Sequence, residues 1–289
     1  MEKINNCKAQ IVGIGGRFPR ATNADEFWTN LVSGKDCVTA DNDRWSASKN
    51  VPMRKGTIPN IDCFDASFFH IPRVQADSMD PQMRLLLEVV HETFLDAALR
   101  PEEFSAKYKI GVFVGVCRSD AEAIYTDENQ DVEAYAISGC AISMLANRIS
   151  YTFNCKGPSR VISTECSSSL VALHDARVAI ETGVCDAAIV ASANVLLRPG
   201  ISQSFLGLNM LSENGQCRSF DDSGNGYVRS EAVVSCLLLG KEVVQVNNRS
   251  EFVYATIAGS LSGHGGHLGK GILRPNKQAQ ISILKNVYG

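Results

Sequence analysis

No stretch of this 289-residue sequence stays apolar for the roughly 18 to 20 residues that a membrane-spanning helix needs, so no membrane span is expected. The polar start Met1-Glu2-Lys3-Ile4-Asn5-Asn6 lacks the apolar segment of a secretory signal, and a cytoplasmic location is expected. A large excess of charge of one sign is lacking as well, with 28 Lys and Arg against 31 Asp and Glu. The formal net charge is only −3 and the basic residues are scattered rather than gathered into a stripe, which argues against a nucleic-acid partner. There are ten cysteines, but paired C-x-x-C spacing is missing and so is the frame of a small secreted domain. Neither a zinc ribbon nor a disulfide scaffold is therefore suggested, and most of the thiols are expected to be reduced core or surface groups. Histidine is sparse, with five in all. The pair in His264-Gly265-Gly266-His267 has no third ligand beside it, so a solvated turn is favoured and no metal is expected.

What remains is globular. A content of 45% hydrophobic and 20% charged residues over this length can bury one large core or two ordinary ones. The stretch that organises the chain is Val161-Ile162-Ser163-Thr164-Glu165-Cys166-Ser167-Ser168-Ser169-Leu170. Arg160 to Thr164 reads as a buried strand. Leu170, Val171, Leu173, Ala176, Val178 and Ile180 then fall round nearly every side of a helix, which suits the middle of a protein. Cys166 is expected at the turn between them. There, unpaired backbone N–H groups and the positive end of the helix dipole favour a nucleophilic thiolate, and the small Ser167 to Ser169 leave room for a substrate. The alternative is a packed core cysteine, a common fate of free thiols.

The other elements follow from local signals. Gln10 to Gly16 reads as a strand running into glycines. A dinucleotide loop fails there on spacing, because the third glycine position is Phe18, Pro19 follows, and no helix begins before about Asn23 to Asp25. Asp80 caps a helix that opens on Pro81 and runs to about Ala98. Strands are expected at Ile110 to Gly115, at Asp186 to Ala191 continuing through Asn194 to Leu197, and at Glu251 to Ser260. Helices are expected at Gly139 to Phe153 and at Gln278 to Tyr288 after Pro275-Asn276. The alternation implies an α/β protein.

Several of these stretches resemble one family. Cys166-Ser167-Ser168-Ser169-Leu170-Val171-Ala172-Leu173 is similar to the nucleophile motif of β-ketoacyl synthases, members of the thiolase superfamily. The opening Gly13 to Pro19, Phe27-Trp28, Asp43-Arg44-Trp45, Phe64 to Phe69, Met79 to Glu88, Cys217 to Asp221 and Gly224 to Glu231 resemble the same family, and most closely the ketosynthase domain of animal fatty acid synthases and related polyketide synthases. The resemblance implies an α/β thiolase-like layered αβαβα fold, with residues 1–250 as its whole first half and 251–289 as only the start of the second. It implies a condensing acyltransferase, with Cys166 catalytic and no cofactor in this domain beyond acyl groups delivered on the phosphopantetheine of an acyl carrier protein. It further implies acyl and malonyl thioesters as substrates and a homodimer. Met144 and Phe205 match the neighbourhood of the acyl pocket, with plain core packing as the alternative for each.

Three departures qualify the match. The two histidines the family uses, the first in an H-G-T-G-T run, are absent from these residues, and by the family's spacing the first would fall just past Gly289. None of the five histidines present replaces them by motif. His174 stands eight helical positions from Cys166, about 12 Å at roughly 1.5 Å per residue, too far to serve as its base. Where the family usually has Asp-Thr-Ala before the nucleophile, this chain has Ser163-Thr164-Glu165, which sets a carboxylate beside the sulfur and opposes its ionisation. The loop from Leu261 to His267 lacks the usual Asn-x-Asp-Gly. A non-catalytic thiolase-fold interaction or dimerisation module stays open as the alternative. A cysteine hydrolase has no placed partner residues here.

Overall fold

The computed structural model describes residues 8–40, 44–45, 51–126, 134–247, 250–267 and 274–288. Met1 to Asn6, Cys7 and Asp43 lie outside them. In chain order the elements are β1 (Ala9–Arg17), α1 (Ala24–Val32), α2 (Arg73–Asp77), α3 (Pro81–Asp96), α4 (Pro101–Lys107), β2 (Ile110–Gly115), α5 (Asp120–Tyr125), α6 (Ala136–Cys140), α7 (Ile142–Thr152) and β3 (Ser159–Ile162). There follow α8 (Ser168–Glu181), β4 (Ala187–Asn194), α9 (Gly200–Gly207), β5 (Ala232–Gly240), α10 (Lys241–Val246), β6 (Ala255–Thr256) and α11 (Lys277–Tyr288). Local chemistry starts several of them. Asn23 accepts from the Glu26 amide to cap α1, Asp80 accepts from the Gln82 amide ahead of Pro81 in α3, and Asn276 accepts from the Gln278 and Ala279 amides at α11.

The six strands form one mixed sheet in the order β3-β2-β4-β5-β1-β6. β2 runs parallel to β3 and β4, while β4–β5, β5–β1 and β1–β6 are antiparallel. Alternate residues serve opposite faces. On one face Val112, Val114, Ile189, Leu237 and Leu239 meet α3 and α7 through Met83, Leu86, Leu87, Phe94, Leu145 and Ile149, all buried. On the other, Phe113, Ala188, Val190 and Leu238 meet Ala172, Ala176, Ala179 and Ile180 of α8, whose three alanines let the helix lie close to the sheet.

The structure corrects several expectations. α8 is buried on one side only, and Leu170 on its far side is 69% exposed. β3 is a half-buried edge strand, shorter than the buried strand expected from Arg160 to Thr164, because it pairs with β2 alone. The expected helix over Gly139 to Phe153 is two helices, since the Gly139 carbonyl accepts from the Asp80 amide instead of continuing the ladder, and the backbone turns extended at Ala141. The strand expected to continue to Leu197 ends at Asn194, where side chains take over the amides: Gln82 Oε1 accepts from Val195, Glu231 Oε1 from Leu196, and Asp120 Oδ2 from Leu197 and Arg198. Between Glu251 and Ser260 only Ala255–Thr256 is strand, because it can pair only with Gln10 and Ile11 at the sheet edge. β5, which no local signal marks, is the strand between β4 and β1. Among the described residues no helix is long and apolar enough to cross a membrane, and no three His, Cys, Asp or Glu side chains gather as metal ligands.

Candidate active site

β2, β3 and β4 are parallel, so the loops leaving their C-terminal ends emerge on one side of the sheet, where α/β folds commonly bind ligands. These loops carry Cys117 to Ser119, Ser163 to Ser167 and Val195 to Leu197. They surround a cleft of about 240 Å³ whose lining includes Cys166, Arg118, Asp120, Glu165, Phe205 and Arg229. Cys166 is exposed, two residues ahead of the first residue of α8. The neighbouring β2 must come very close to that helix start: a side-chain carbon on Gly115 would stand 2.6 Å from the Ser169 amide nitrogen. Glycine is therefore required there for the helix N-terminus to face the cleft.

The turn that presents Cys166 is tied by Ser168. Its buried hydroxyl accepts from the Thr164 amide at 2.9 Å and donates to the Glu165 carbonyl at 2.6 Å. Glu165 itself takes a left-handed conformation with φ of 53°, uncommon for a residue with a side chain. Its carboxylate pairs with Arg118 at 3.2 Å. The Asp120 carboxylate is occupied by the two backbone amides named above, and the Arg229 guanidinium lies over the Phe205 ring, 5.1 Å from its centroid. Phe205, on α9, also meets Tyr227 edge-on at 6.1 Å. By contrast, burial pushes the Cys140 thiol up to about 12 and the Cys185 thiol up to about 11, so these two stay protonated core groups.

The structure brings Cys166 and Phe205 together and leaves Met144 elsewhere. Met144 is half-buried against the main core and does not line the cleft. Among the described residues no histidine lines the cleft. His174 Nδ1 is 2.9 Å from the Ser260 hydroxyl, His91 packs among Phe68, Phe69 and Phe153, and His264 Nδ1 accepts from the Gly266 amide. Sequence reasoning missed Arg118, Asp120 and Arg229. The usable signal for the first two was position, since both follow directly on the end of a buried strand.

Solved structures that share this architecture include ketosynthases. The chain overlays the oxazolomycin ketosynthase domain OzmH KS7 of Streptomyces albus JA3453 with a TM-score of 0.89 at 32% identity, covering 97% of this chain and 50% of that one. It overlays the ketosynthase from module 6 of the bacillaene synthase of Bacillus subtilis 168 with a TM-score of 0.87 at 31% identity, covering 97% and 47%. Fold and site thus define a thiolase-like α/β protein of the ketosynthase type. In sequence it is 42% identical over 279 residues to a fatty acid synthase from Anser anser anser, covering 96% of this chain and 77% of that sequence. It is 35% identical to polyketide synthase PksL of Bacillus subtilis (strain 168), covering 95% of this chain and 6% of that one. Residues 8–243 match the model of the β-ketoacyl synthase N-terminal domain, and the chain belongs to that family. It spans about half the length of the solved ketosynthase chains it matches.

Proposed function

We propose that this chain supplies the nucleophile of a condensing enzyme of fatty acid or polyketide synthesis. The observation that carries the reading is the exposed Cys166 lining a cleft at the N-terminus of a half-buried helix, in a chain of this family. In the first stage the Cys166 thiolate attacks the carbonyl of an acyl thioester carried on the phosphopantetheine of an acyl carrier protein. The carrier's C–S bond breaks, the carrier thiol leaves with a proton, and the acyl group stays on Cys166. In the second, malonyl carrier loses CO₂, its carbanion attacks the acyl thioester, a C–C bond forms and Cys166 departs as thiolate. The apolar wall of Val116, Leu196, Ile201 and Phe205 gives the acyl chain a dry surface.

The second stage calls for groups that polarise the malonyl carbonyl, and no histidine among the described residues stands at the cleft to do so. We therefore assign acyl transfer to the residues in hand and leave condensation to residues they do not include. The test is incubation with a short acyl thioester of N-acetylcysteamine, followed by peptide mass spectrometry. A mass gain confined to Cys166 and lost in Cys166→Ala supports the reading. No gain on a folded chain favours an interaction module that does not turn over.

A further inference from the structure

Glu165 precedes the nucleophile directly, and a free carboxylate there would disfavour the thiolate. It is not free. We propose that Arg118 is a positioning residue for Cys166, holding the Glu165 carboxylate in an ion pair at the cleft and so keeping the neighbouring sulfur reactive. The inference rests on the reading of Cys166 as nucleophile and adds a residue that acts on it.

Both partners have fixed backbones. Glu165 is held by the Ser168 hydroxyl and by the Ser168 amide, which donates to the Glu165 carbonyl at 3.0 Å. Arg118 is held from the other side of the cleft: its carbonyl accepts from Gln82 Nε2 at 3.1 Å, and the next residue, Ser119, donates its hydroxyl to Asp80 Oδ2 at 2.6 Å. Asp80 is the buried cap of α3. A chain of contacts thus runs from the start of α3 through Asp80, Ser119 and Arg118 to Glu165, next to Cys166.

The Arg118–Glu165 pair is poorly placed to hold the fold, because its side chains are 51% and 63% exposed and exposed pairs contribute little to stability. Its location gives it a different use. The charged groups lining the cleft are Arg118, Asp120, Glu165 and Arg229, and α8 has no acidic residue in its first turn. Asp120 is taken by the Leu197 and Arg198 amides and Arg229 lies on Phe205, so Glu165, next to Cys166 in the chain, is the remaining cleft carboxylate and Arg118 is the cation that pairs with it.

The experiment measures alkylation rates at Cys166 of the 289-residue chain with neutral iodoacetamide and anionic iodoacetate, read by mass spectrometry against the exposed Cys63. Arg118→Ala is expected to slow iodoacetamide at Cys166 about three- to tenfold, and iodoacetate by more, since a cation is lost and a carboxylate uncovered. Arg118→Lys should recover most of the rate. The double variant Arg118→Ala/Glu165→Gln should return to within about twofold of the parent, which a merely structural role would not produce. Buried Cys140 and Cys185 report on folding by staying unmodified, and if Arg118→Ala exposes them, the comparison of Glu165→Gln with Arg118→Lys carries the test. An Arg118→Ala rate equal to the parent's, or a double variant as slow as the single one, overturns the proposal. Failure of acyl transfer in the parent would count against the nucleophile reading and leave this comparison readable.

Discussion

The two faces of the sheet are built differently. On one, α3 and α7 close over the strands with large side chains, and Phe94, Met83, Leu86 and Leu87 are fully buried. On the other, α8 rests on the sheet largely through alanines and turns Leu170 and Val178 to solvent, while Ser260 bonds its His174 and Arg177. The described residues of α11 include no buried one. The dense face holds most of the large buried side chains, and the thin face leaves the start of α8, with the exposed Cys166 proposed as nucleophile, open to a cleft. The same division separates two ion pairs: Arg44–Glu231 lies in the packed interior, Arg118–Glu165 at the cleft.

The sharpest way to break this contrast is to attack the dense side. Phe94→Ala is expected to cost about 3–5 kcal/mol in urea unfolding, from lost transfer energy and the cavity left behind. Glu231→Ala should cost a similar amount, about 3–5 kcal/mol, because it removes the carboxylate that pairs with the buried Arg44 and leaves the Ile58 and Leu196 amides without their acceptor. A smaller effect is expected at Asp80. Burial raises its carboxyl above the ordinary Asp range, against the hydrogen bonds from Ser119 and Gln82. Since the folded value lies above the unfolded one, the protonated group's contribution is fully present below about pH 4 and is lost as the pH rises through the folded value. Asp80→Asn should remove this fall, at about 1 kcal/mol or less in absolute stability, measured as urea midpoints across the acid range. The smallest effect belongs to the thin side, where Leu170→Ser should stay within about 0.5 kcal/mol of the parent. A large loss there would mean that something covers α8.

Much of this could be read from residues alone. The Asp80-Pro81 start, the Ile110 to Gly115 strand and the Asn276 cap are local signals, and the structure has all three. What escaped was non-local. The strand ending at Asn194 is stopped by acceptors from Gln82, Asp120 and Glu231, far off in sequence, and the break at Ala141 follows from a bond between Gly139 and Asp80. The Ala232–Gly240 strand follows a loop of family motif residues and has no clean alternation to mark it. Cys166 and Phe205 could be picked from motifs. Arg118 could not, since its meaning depends on a partner 47 positions away.

The most direct test of the central claim offers the purified 289-residue chain an acyl thioester and a malonyl thioester together, with Cys166→Ala as background. The account expects an acyl adduct on Cys166 and no chain-extended product, because losing general acid–base help typically costs about 10² to 10⁴ in rate and no described histidine reaches the cleft. Equal acylation of the parent and Cys166→Ala, or carbon–carbon bond formation by the chain alone, would contradict it.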